Sequence, residues 1–283
     1  MRSAIGAVVL AAAVLLLTGA GARAFDDAQY PDLKGQWRRI SPPGQPAFDP
    51  GKPRGYGQEA PLTPEYEAVY AANIADMKAG GEGQWPGFTC RPPGMPPMMT
   101  AYEPMEIVVL PEITYIMIDH IHDTHRRVYT DGRGWPAEIE PTFGGYSIGR
   151  WLDQDHDGRF DTLEVETRAI KGPRAFDASS LPLHADNETV VTERIYLDRA
   201  DVNVLHDQIT VFDHALTRPW TVLKSYSRNP DPHPFWREYI CSERNQHVNI
   251  GKENYFMSAD GYLMPAKKDQ APPDLRFFKQ PAK

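Results

Sequence analysis

The sequence predicts a mainly β protein, an antiparallel meander that closes into a barrel or a strongly curled sheet, with one helix near the N-terminus. Most of the chain after residue 104 consists of short segments rich in β-branched and aromatic residues, bounded by Asp, Gly, Pro or Asn clusters. Most links between these segments are short enough to join antiparallel neighbours. One earlier stretch has the spacing of apolar residues that is typical of a helix.

The first 24 residues have the pattern of a signal peptide. Met1-Arg2 gives a positive start, residues 4–17 are almost entirely apolar, and Ala22-Arg23-Ala24 provides a cleavage site of small residues. The apolar run is too short for a stable membrane anchor. We therefore predict a periplasmic or secreted protein with no stable membrane insertion after signal cleavage. An uncleaved N-terminal anchor is the alternative.

Residues 25–104 are predicted to form an N-terminal extension with a helix at about 64–79. Thr63 is the expected N-cap, Pro64 occupies the first helical position, and Gly80-Gly81 ends the element. Apolar residues that recur at helical spacing form a face expected to pack on the main body. They are Tyr66, Val69, Tyr70, Ile74 and Met77.

Residues 105–283 are predicted to form the antiparallel β domain. Its expected strands are 105–110, 113–120, 125–130, 147–152, 162–169, 189–197, 205–212, 220–227 and 235–241. The connection over 171–187 is the long link among them. Ahead of the first strand, the Pro-rich segment 91–99 is predicted to be irregular and to lie over the surface.

The charge balance excludes some classes of partner. Residues 1–24 hold two of the 30 basic residues and none of the 38 acidic ones, so the mature chain keeps 28 basic residues and a formal net charge of −10. That balance argues against nucleic acid and against anionic membrane surfaces as partners.

The chain has two cysteines, Cys90 and Cys241. In an exported protein an even count favours a disulfide, which would join the N-terminal segment to a late strand. The alternatives are a metal ligand or a reactive thiol with Arg91 or Arg244 as its cationic neighbour.

Residues 153–164 fit the calcium-loop pattern D-x-D-x-D-G with a carboxylate at position twelve, and Gly158 supplies the sharp turn at position six. The predicted ligands are Asp153, Asp155 and Asp157 at positions one, three and five, the backbone carbonyl of Arg159 at seven, Asp161 through a water at nine, and Glu164 at twelve. The loop resembles that of EF-hand proteins over these twelve residues alone, because its flanks do not have helical patterns. We predict structural Ca²⁺ that clamps two strands together. A solvated turn with no ion is the alternative.

Five stretches resemble a family of exported, largely uncharacterised bacterial proteins. They are RRVYTDGR at 126–133, GYSIGRW at 145–151, DTLEVET at 161–167, TRPWT at 217–221 and CSERN at 241–245. The resemblance spans much of the mature chain and implies export, but it implies little about activity. Separately, Gly35-Gln36-Trp37 ahead of a strand is similar to the start of lipocalin-like barrels.

Two patterns suggest chemistry that their surroundings do not support. Gly145-Tyr-Ser147-Ile-Gly149 matches the nucleophile elbow G-x-S-x-G, yet no helix follows, so we expect Ser147 to be a strand or turn residue. His120, His122 and His125 offer zinc or copper ligands, but a turn at His122 would leave at least two of them in solvent.

A set of polar residues forms the candidate ligand or catalytic site. Arg127 and Tyr129 share one face of their predicted strand, Asp131 follows at its end, and His184 lies on the long connection. If the sheet curls, polar groups that point inward need partners or a ligand. The alternative places these residues on a solvated outer face with cross-strand ion pairs.

From these observations we predict a periplasmic small-molecule-binding protein with a calcium-stabilised hairpin. One alternative is an enzyme, a lyase, isomerase or hydrolase that acts on a small polar or aromatic substrate in the barrel cavity. In that case His184 or Asp131 would be the acid or base, and Arg127 would hold an anion. Another alternative is a structural or interaction module. An open cavity lined by Arg127, Tyr129 and His184 would favour binding or catalysis, and a filled interior would favour the module.

Overall fold

The computed structural model describes residues 26–40, 60–79, 83–84, 91–120, 122–236, 247–250, 253–257, 263–267 and 269–272. The predicted signal peptide, the two cysteines Cys90 and Cys241, and the predicted helix terminator Gly80-Gly81 lie outside these described residues. Within them, no α-helix has the length and the apolar character needed to cross a membrane.

The described residues form one α-helix, α1 (Pro64–Lys78), and fourteen strands. The strands are β1 (Gln36–Arg39), β2 (Met105–Val109), β3 (Ile113–His120), β4 (His122–Tyr129), β5 (Tyr146–Leu152), β6 (Thr162–Arg168), β7 (Arg174–Ala175), β8 (Pro182–Leu183), β9 (Val190–Leu197), β10 (Val204–Phe212), β11 (Trp220–Arg228), β12 (His247–Ile250), β13 (Glu253–Met257) and β14 (Leu263–Pro265).

Nine of these strands form a closed barrel in the order β1-β11-β10-β9-β6-β5-β4-β3-β2. The predicted mainly β barrel with one N-terminal helix is therefore confirmed. Neighbouring strands are antiparallel except β4 and β5, where Val128 lies opposite Ser147 in a parallel pair. A closed ring of nine strands cannot alternate direction at every pair, so the odd number requires a parallel pair. The connection over 130–145 makes it possible, because parallel strands need a long crossover.

Closure of the barrel depends on β1, which lies in the predicted N-terminal extension at the Gly35-Gln36-Trp37 stretch. Trp37 of β1 pairs with Arg228 of β11 on one side and with Met105 of β2 on the other. Eight predicted strands are present as β2–β6 and β9–β11. The ninth, 235–241, is not a strand at residues 235–236, and the rest of it lies outside the described residues.

The remaining strands form two small sheets outside the barrel. β7 pairs with β8 within the long connection between β6 and β9, and β12, β13 and β14 form a sheet of three strands.

Helix α1 lies beside β8, since Asn73 Nδ2 donates to the Ser180 carbonyl at 2.9 Å. Its predicted N-cap is confirmed, because Thr63 Oγ1 accepts the Tyr66 N–H at 3.4 Å. The residues of its predicted apolar face are half-buried, and Tyr70 packs against the core.

The segment before β2 does not lie over the surface, and that prediction was wrong. Its buried apolar side chains include Met95, Met98 and Met99. Tyr226 of β11 donates its hydroxyl to the Met99 carbonyl, and Arg39 of β1 donates to the Thr100 carbonyl. Both donors are buried, so the segment closes over the barrel interior beside these strands. Unbranched methionine side chains suit this role because they fill irregular space.

Candidate functional site

The barrel interior is filled with packed side chains. Alternate residues of each strand point inward, and the large side chains that are fully buried include Trp37, Ile116, Leu163 and Ile195. A charged group lies among them. Arg126 donates to Glu193 Oε1 at 2.9 Å, to Thr167 Oγ1 at 2.7 Å and to Ser147 Oγ at 3.0 Å.

Asp207 and Lys224 are two further charged residues buried in the barrel. Burial, together with the neighbouring Glu193 carboxylate, raises the pKa of Asp207 well above its usual value. The side chain of Asp207 also interacts with that of Glu193, which favours the protonated form of Asp207. Burial also lowers the pKa of Lys224 to about 8. These groups are enclosed by apolar side chains, which makes them poorly placed to meet a ligand that arrives from solvent.

Two cavities with volumes of about 530 and 520 Å³ lie side by side on the outer face of β5, β6, β9 and β10. They share Arg194 and Gln208, and we call them together the outer groove. Its floor consists of rows of cross-strand neighbours. One row is Ile148, Glu166, Thr192 and Thr210, and the next is Arg150, Glu164, Arg194 and Gln208.

The second row places one carboxylate between two guanidinium groups. Glu164 accepts hydrogen bonds from Arg150, with Nε 2.7 Å and Nη2 2.5 Å from Oε2. On its other side Glu164 is the register partner of Arg194. The buried Nε of Arg194 has no hydrogen-bond acceptor among the described residues. An arginine donor without an acceptor is a group that an anionic ligand can bind once the Arg194 side chain moves to expose it.

Aromatic and cationic side chains from the β4–β5 connection form one end of the groove. Arg133 and Trp135 line it, and the guanidinium carbon of Arg168 lies 4.3 Å from the ring centroid of Trp135. Arg133 stacks on Tyr129 at 3.8 Å and forms an ion pair with Asp131 at 2.6 Å. Stacking fixes these cations in place, so the end of the groove presents flat surfaces that suit a planar ligand.

The structure divides the four predicted ligand or catalytic residues among different places. Tyr129 and Asp131 meet at Arg133, beside the outer groove. Arg127 shares the face of Tyr129, as predicted, but that face is the outer one, and Arg127 is exposed. His184 lies elsewhere, with its ring 5.5 Å from that of Tyr66 on α1. Arg127, Tyr129 and His184 therefore do not line one shared cavity, which was the arrangement that would have favoured binding or catalysis.

The ion pair with Arg133 also affects what Asp131 can do. Hydrogen bonds from Arg133 lower the pKa of Asp131 to about 2. A carboxylate that is ionised and already bonded at neutral pH is a weak proton acceptor. This argues against Asp131 as the base of an enzyme.

Sequence reasoning chose Arg127 and missed its neighbour Arg126, which is the arginine of β4 that points into the barrel. Val128, two residues further on, was the available signal, because an apolar residue marks the core face of a strand and Arg126 shares that face. The same alternation identifies the groove residues Arg150, Glu164 and Arg194 as outward-facing.

Ser147 is a strand residue, as expected from the absence of a helix after it. It is buried and its hydroxyl lies 2.8 Å from Thr167 Oγ1. The two glycines of its motif have structural roles. Gly145 has φ +66°, and a Cβ there would lie 2.7 Å from the Arg168 carbonyl oxygen. A Cβ at Gly149 would lie 2.6 Å from Val128 Cγ1.

The Asp-rich loop is the β5–β6 hairpin turn, and it gathers some of the predicted calcium ligands. Carboxylate oxygens of Asp153, Asp155 and Asp161 lie within 4.8 Å of one another. Asp153 also accepts the backbone N–H groups of Asp157 at 3.2 Å and Gly158 at 2.9 Å. Gly158 has φ +89°, as the sharp turn requires.

Other predicted calcium ligands have different partners. Glu164 is bonded to Arg150 on the outer face, and Asp157 accepts the Arg159 N–H at 2.8 Å. The Arg159 side chain donates to the Ala28 carbonyl at 3.0 Å, which ties the loop to the N-terminal segment. The structure thus groups three of the five predicted carboxylate ligands.

The histidines of the β3–β4 hairpin do not gather in the same way. His120 Nδ1 lies 2.8 Å from Glu103 Oε2, whereas His125 is exposed beside the inward-facing Arg126. His120 and His125 therefore lie on opposite faces of the hairpin. The side chain of His122 lies outside the described part of the structure.

Comparisons with known proteins found no matching family model, no matching curated protein and no matching solved structure. The resemblance to an exported bacterial family stays a prediction. The geometry of the site is therefore what indicates a function for this protein.

Proposed function

We propose that this protein is an exported small-molecule-binding protein whose ligand lies in the outer groove and not in the barrel interior. The ligand would be a small anion with a flat aromatic or apolar part. The observation that supports this most strongly is Arg194, which lines both cavities and has no acceptor for its buried Nε among the described residues.

The size of the groove suits such a ligand. Pockets for small molecules have volumes of roughly 300–1,000 Å³, and each of the two cavities falls in this range. A ligand that fills one of them can reach the other, because Arg194 and Gln208 line both.

The charges of the groove favour an anion at Arg194. Arg133 is paired with Asp131 and Arg150 with Glu164. The carboxylate of Glu166 is bonded to Arg168 at 2.5 Å. The charges within each pair offset one another. Arg194 belongs to none of these pairs and is a groove cation whose charge a bound carboxylate or phosphate would balance.

The aromatic part of the ligand would lie towards Trp135. Arg168 covers one side of this ring, and Ile148 adds apolar surface to the adjoining floor. Flat surfaces next to a cationic donor recognise a planar anion through stacking and a charge-assisted hydrogen bond at once.

We also keep calcium as a proposal for the β5–β6 hairpin. The twelve-residue pattern, the grouped carboxylates of Asp153, Asp155 and Asp161 and the turn at Gly158 support it. Asp155 and Asp161 also line the second cavity, so an ion there would hold one wall of the groove. Glu164 could close the site at position twelve after its ion pair with Arg150 opens.

Export and the Cys90–Cys241 disulfide are proposals that the sequence alone supports. Both can be tested on the protein recovered from the cell envelope or medium. Intact mass spectrometry should give a chain that begins at Phe25 and is two hydrogens lighter than the reduced form. A chain that keeps residues 1–24 would contradict cleavage of the signal peptide. A chain with two free thiols would contradict the disulfide.

The filled barrel interior favours the alternative of a structural or interaction module. The binding test must therefore distinguish such a module from a small-molecule-binding protein. Thermal unfolding is measured with aromatic carboxylates, aromatic phosphates and uncharged aromatic analogues. The wild type and two variants are compared, Arg194→Ala in the groove and Arg127→Ala outside it. We expect aromatic anions to raise the Tm of the wild type and of Arg127→Ala, and to leave that of Arg194→Ala unchanged. Equal shifts in the three proteins, or none in any, would contradict the proposal.

A further inference from the structure

Two histidines converge on one carboxylate where the connection after β8 meets the β10–β11 turn. His184 Nδ1 lies 2.7 Å and His214 Nδ1 lies 2.5 Å from the same atom, Asp186 Oδ2. The two imidazole rings are 5.6 Å apart and nearly perpendicular. Asp186 and His214 are 28 residues apart in the chain, so the fold brings the group together.

A second carboxylate holds the two chain segments in this arrangement. Asp213 Oδ1 accepts the His184 N–H at 2.9 Å and the Ala215 N–H at 2.7 Å. Asp213 Oδ2 accepts the Thr189 hydroxyl at 2.5 Å. The backbone of His184 is thus hydrogen-bonded to the β10–β11 turn, which also contains His214.

Helix α1 and the local backbone orient the group further. The Tyr66 ring of α1 packs against the His184 ring with centroids 5.5 Å apart. Asp186 Oδ1 accepts the Glu188 N–H at 3.0 Å, which leaves Oδ2 as the oxygen that faces the imidazoles. The carboxylate and the His184 ring are therefore positioned before any ligand binds.

We propose that His184, Asp186 and His214 bind a divalent transition-metal ion, with Zn²⁺ as the representative. Two imidazole nitrogens and one carboxylate oxygen form a donor set that zinc uses in sites with an open fourth position. The set is softer than the all-oxygen set of the β5–β6 loop, so the two sites would prefer different ions. It shares no residue with the outer groove, and the proposal does not depend on ligand binding there.

The ligand atoms need a modest rearrangement to hold the ion. Metal–ligand bonds near 2.0–2.1 Å at tetrahedral angles place neighbouring ligand atoms about 3.3 Å apart, somewhat further than the present separations. The side chain of His214 is 63% exposed, so it can rotate outward. Those of His184 and Asp186 are 34% and 23% exposed and would move less.

Solvent access leaves a position for a further ligand. Glu188 Oε2 lies 4.0 Å from His214 Nδ1, so its exposed carboxylate can approach the ion, and a water can do the same. The site would tie the connection after β8 to the β10–β11 turn and would expose one face of the ion to solvent.

The proposal is tested on the mature, tag-free protein with Zn²⁺ by titration calorimetry and with Co²⁺ by visible absorption. Asp186→Asn and His214→Ala remove ligands, and His233→Ala removes an exposed histidine outside the site. His214 is exposed, so its variant should fold even if another does not.

We expect one equivalent of Zn²⁺, and cobalt d–d bands of a four- or five-coordinate ion, for the wild type and for His233→Ala. Affinity should fall at least about tenfold in His214→Ala, as expected when a ligand or its support is lost. Absence of binding to the wild type, or affinities unchanged in both ligand variants, would overturn the proposal.

Discussion

Arg126 of β4 and Glu193 of β9 form an ion pair across the inside of the barrel, although β5 and β6 separate their strands in the sheet. Their side chains are 2% and 0% exposed. The same guanidinium binds Ser147 of β5 and Thr167 of β6. One arginine therefore connects four consecutive strands of the barrel.

Replacing this arginine should destabilise the fold strongly. In Arg126→Met the Glu193 carboxylate stays buried without its partner, and breaking a buried pair in this way typically costs about 3–5 kcal/mol. The matched control is Arg127→Met, one residue away on the exposed face, which should change the free energy of unfolding by less than about 0.5 kcal/mol. Urea unfolding measures both. Similar values for the two variants would contradict the assigned orientation of β4.

If Arg126→Met does not fold, the double variant Arg126→Met/Glu193→Leu still tests the ion pair. Removing both charges leaves neither member of the ion pair buried alone, so the double variant should recover much of the lost stability. A double variant less stable than either single variant would show that the pair is not the source of the effect.

The buried carboxyl of Asp207 should make stability depend on pH. Because burial raises its pKa above the ordinary value of 3.8, the folded protein keeps this proton at pH values where the unfolded chain has lost it. The Asp207 contribution is therefore fully present below about pH 4 and is lost as the pH rises through the raised pKa. In Asp207→Asn the free energy of unfolding should fall less between pH 4 and pH 7 than in the wild type. Parallel pH profiles of the two proteins would contradict the prediction.

Calcium should stabilise the wild type through the β5–β6 hairpin. A ligand that binds the folded state alone adds about 2.7 kcal/mol at a hundred times its Kd, so Ca²⁺ should raise the Tm and a chelator should reverse the rise. Asp153→Asn should abolish the shift. The control is Asp201→Asn, which changes an aspartate in the turn between β9 and β10. This variant should still show the calcium-induced rise in Tm. No shift in the wild type, with no calcium found by metal analysis, would exclude the site.

Local signals were enough to predict most of the fold. Strands such as β3 and β9 have β-branched and aromatic residues between clear turn residues, and Thr63-Pro64 marks the start of α1. These features depend on residues that are neighbours in the chain, so they can be predicted from local sequence patterns. The Asp-rich turn was found for the same reason.

Features that depend on distant parts of the chain were not predicted. The closure through Trp37, the parallel β4–β5 pair and the burial of Met95 follow from how the whole barrel is completed. The choice between Arg126 and Arg127 depended on one residue of register, which exchanges the inner and outer faces of a strand. His184 was singled out, but its partner His214 was not, because spacing along the chain gives no sign of their contact.

The affinity of one aromatic anion for two charge-reversal variants shows whether the ligand lies in the outer groove. Titration calorimetry compares Arg194→Glu in the outer groove with Arg127→Glu on the neighbouring exposed face, both against the wild type. We expect a Kd at least about tenfold higher for Arg194→Glu, which corresponds to a loss of about 1.4 kcal/mol, and no change for Arg127→Glu. An unchanged Kd for Arg194→Glu would contradict this location of the ligand.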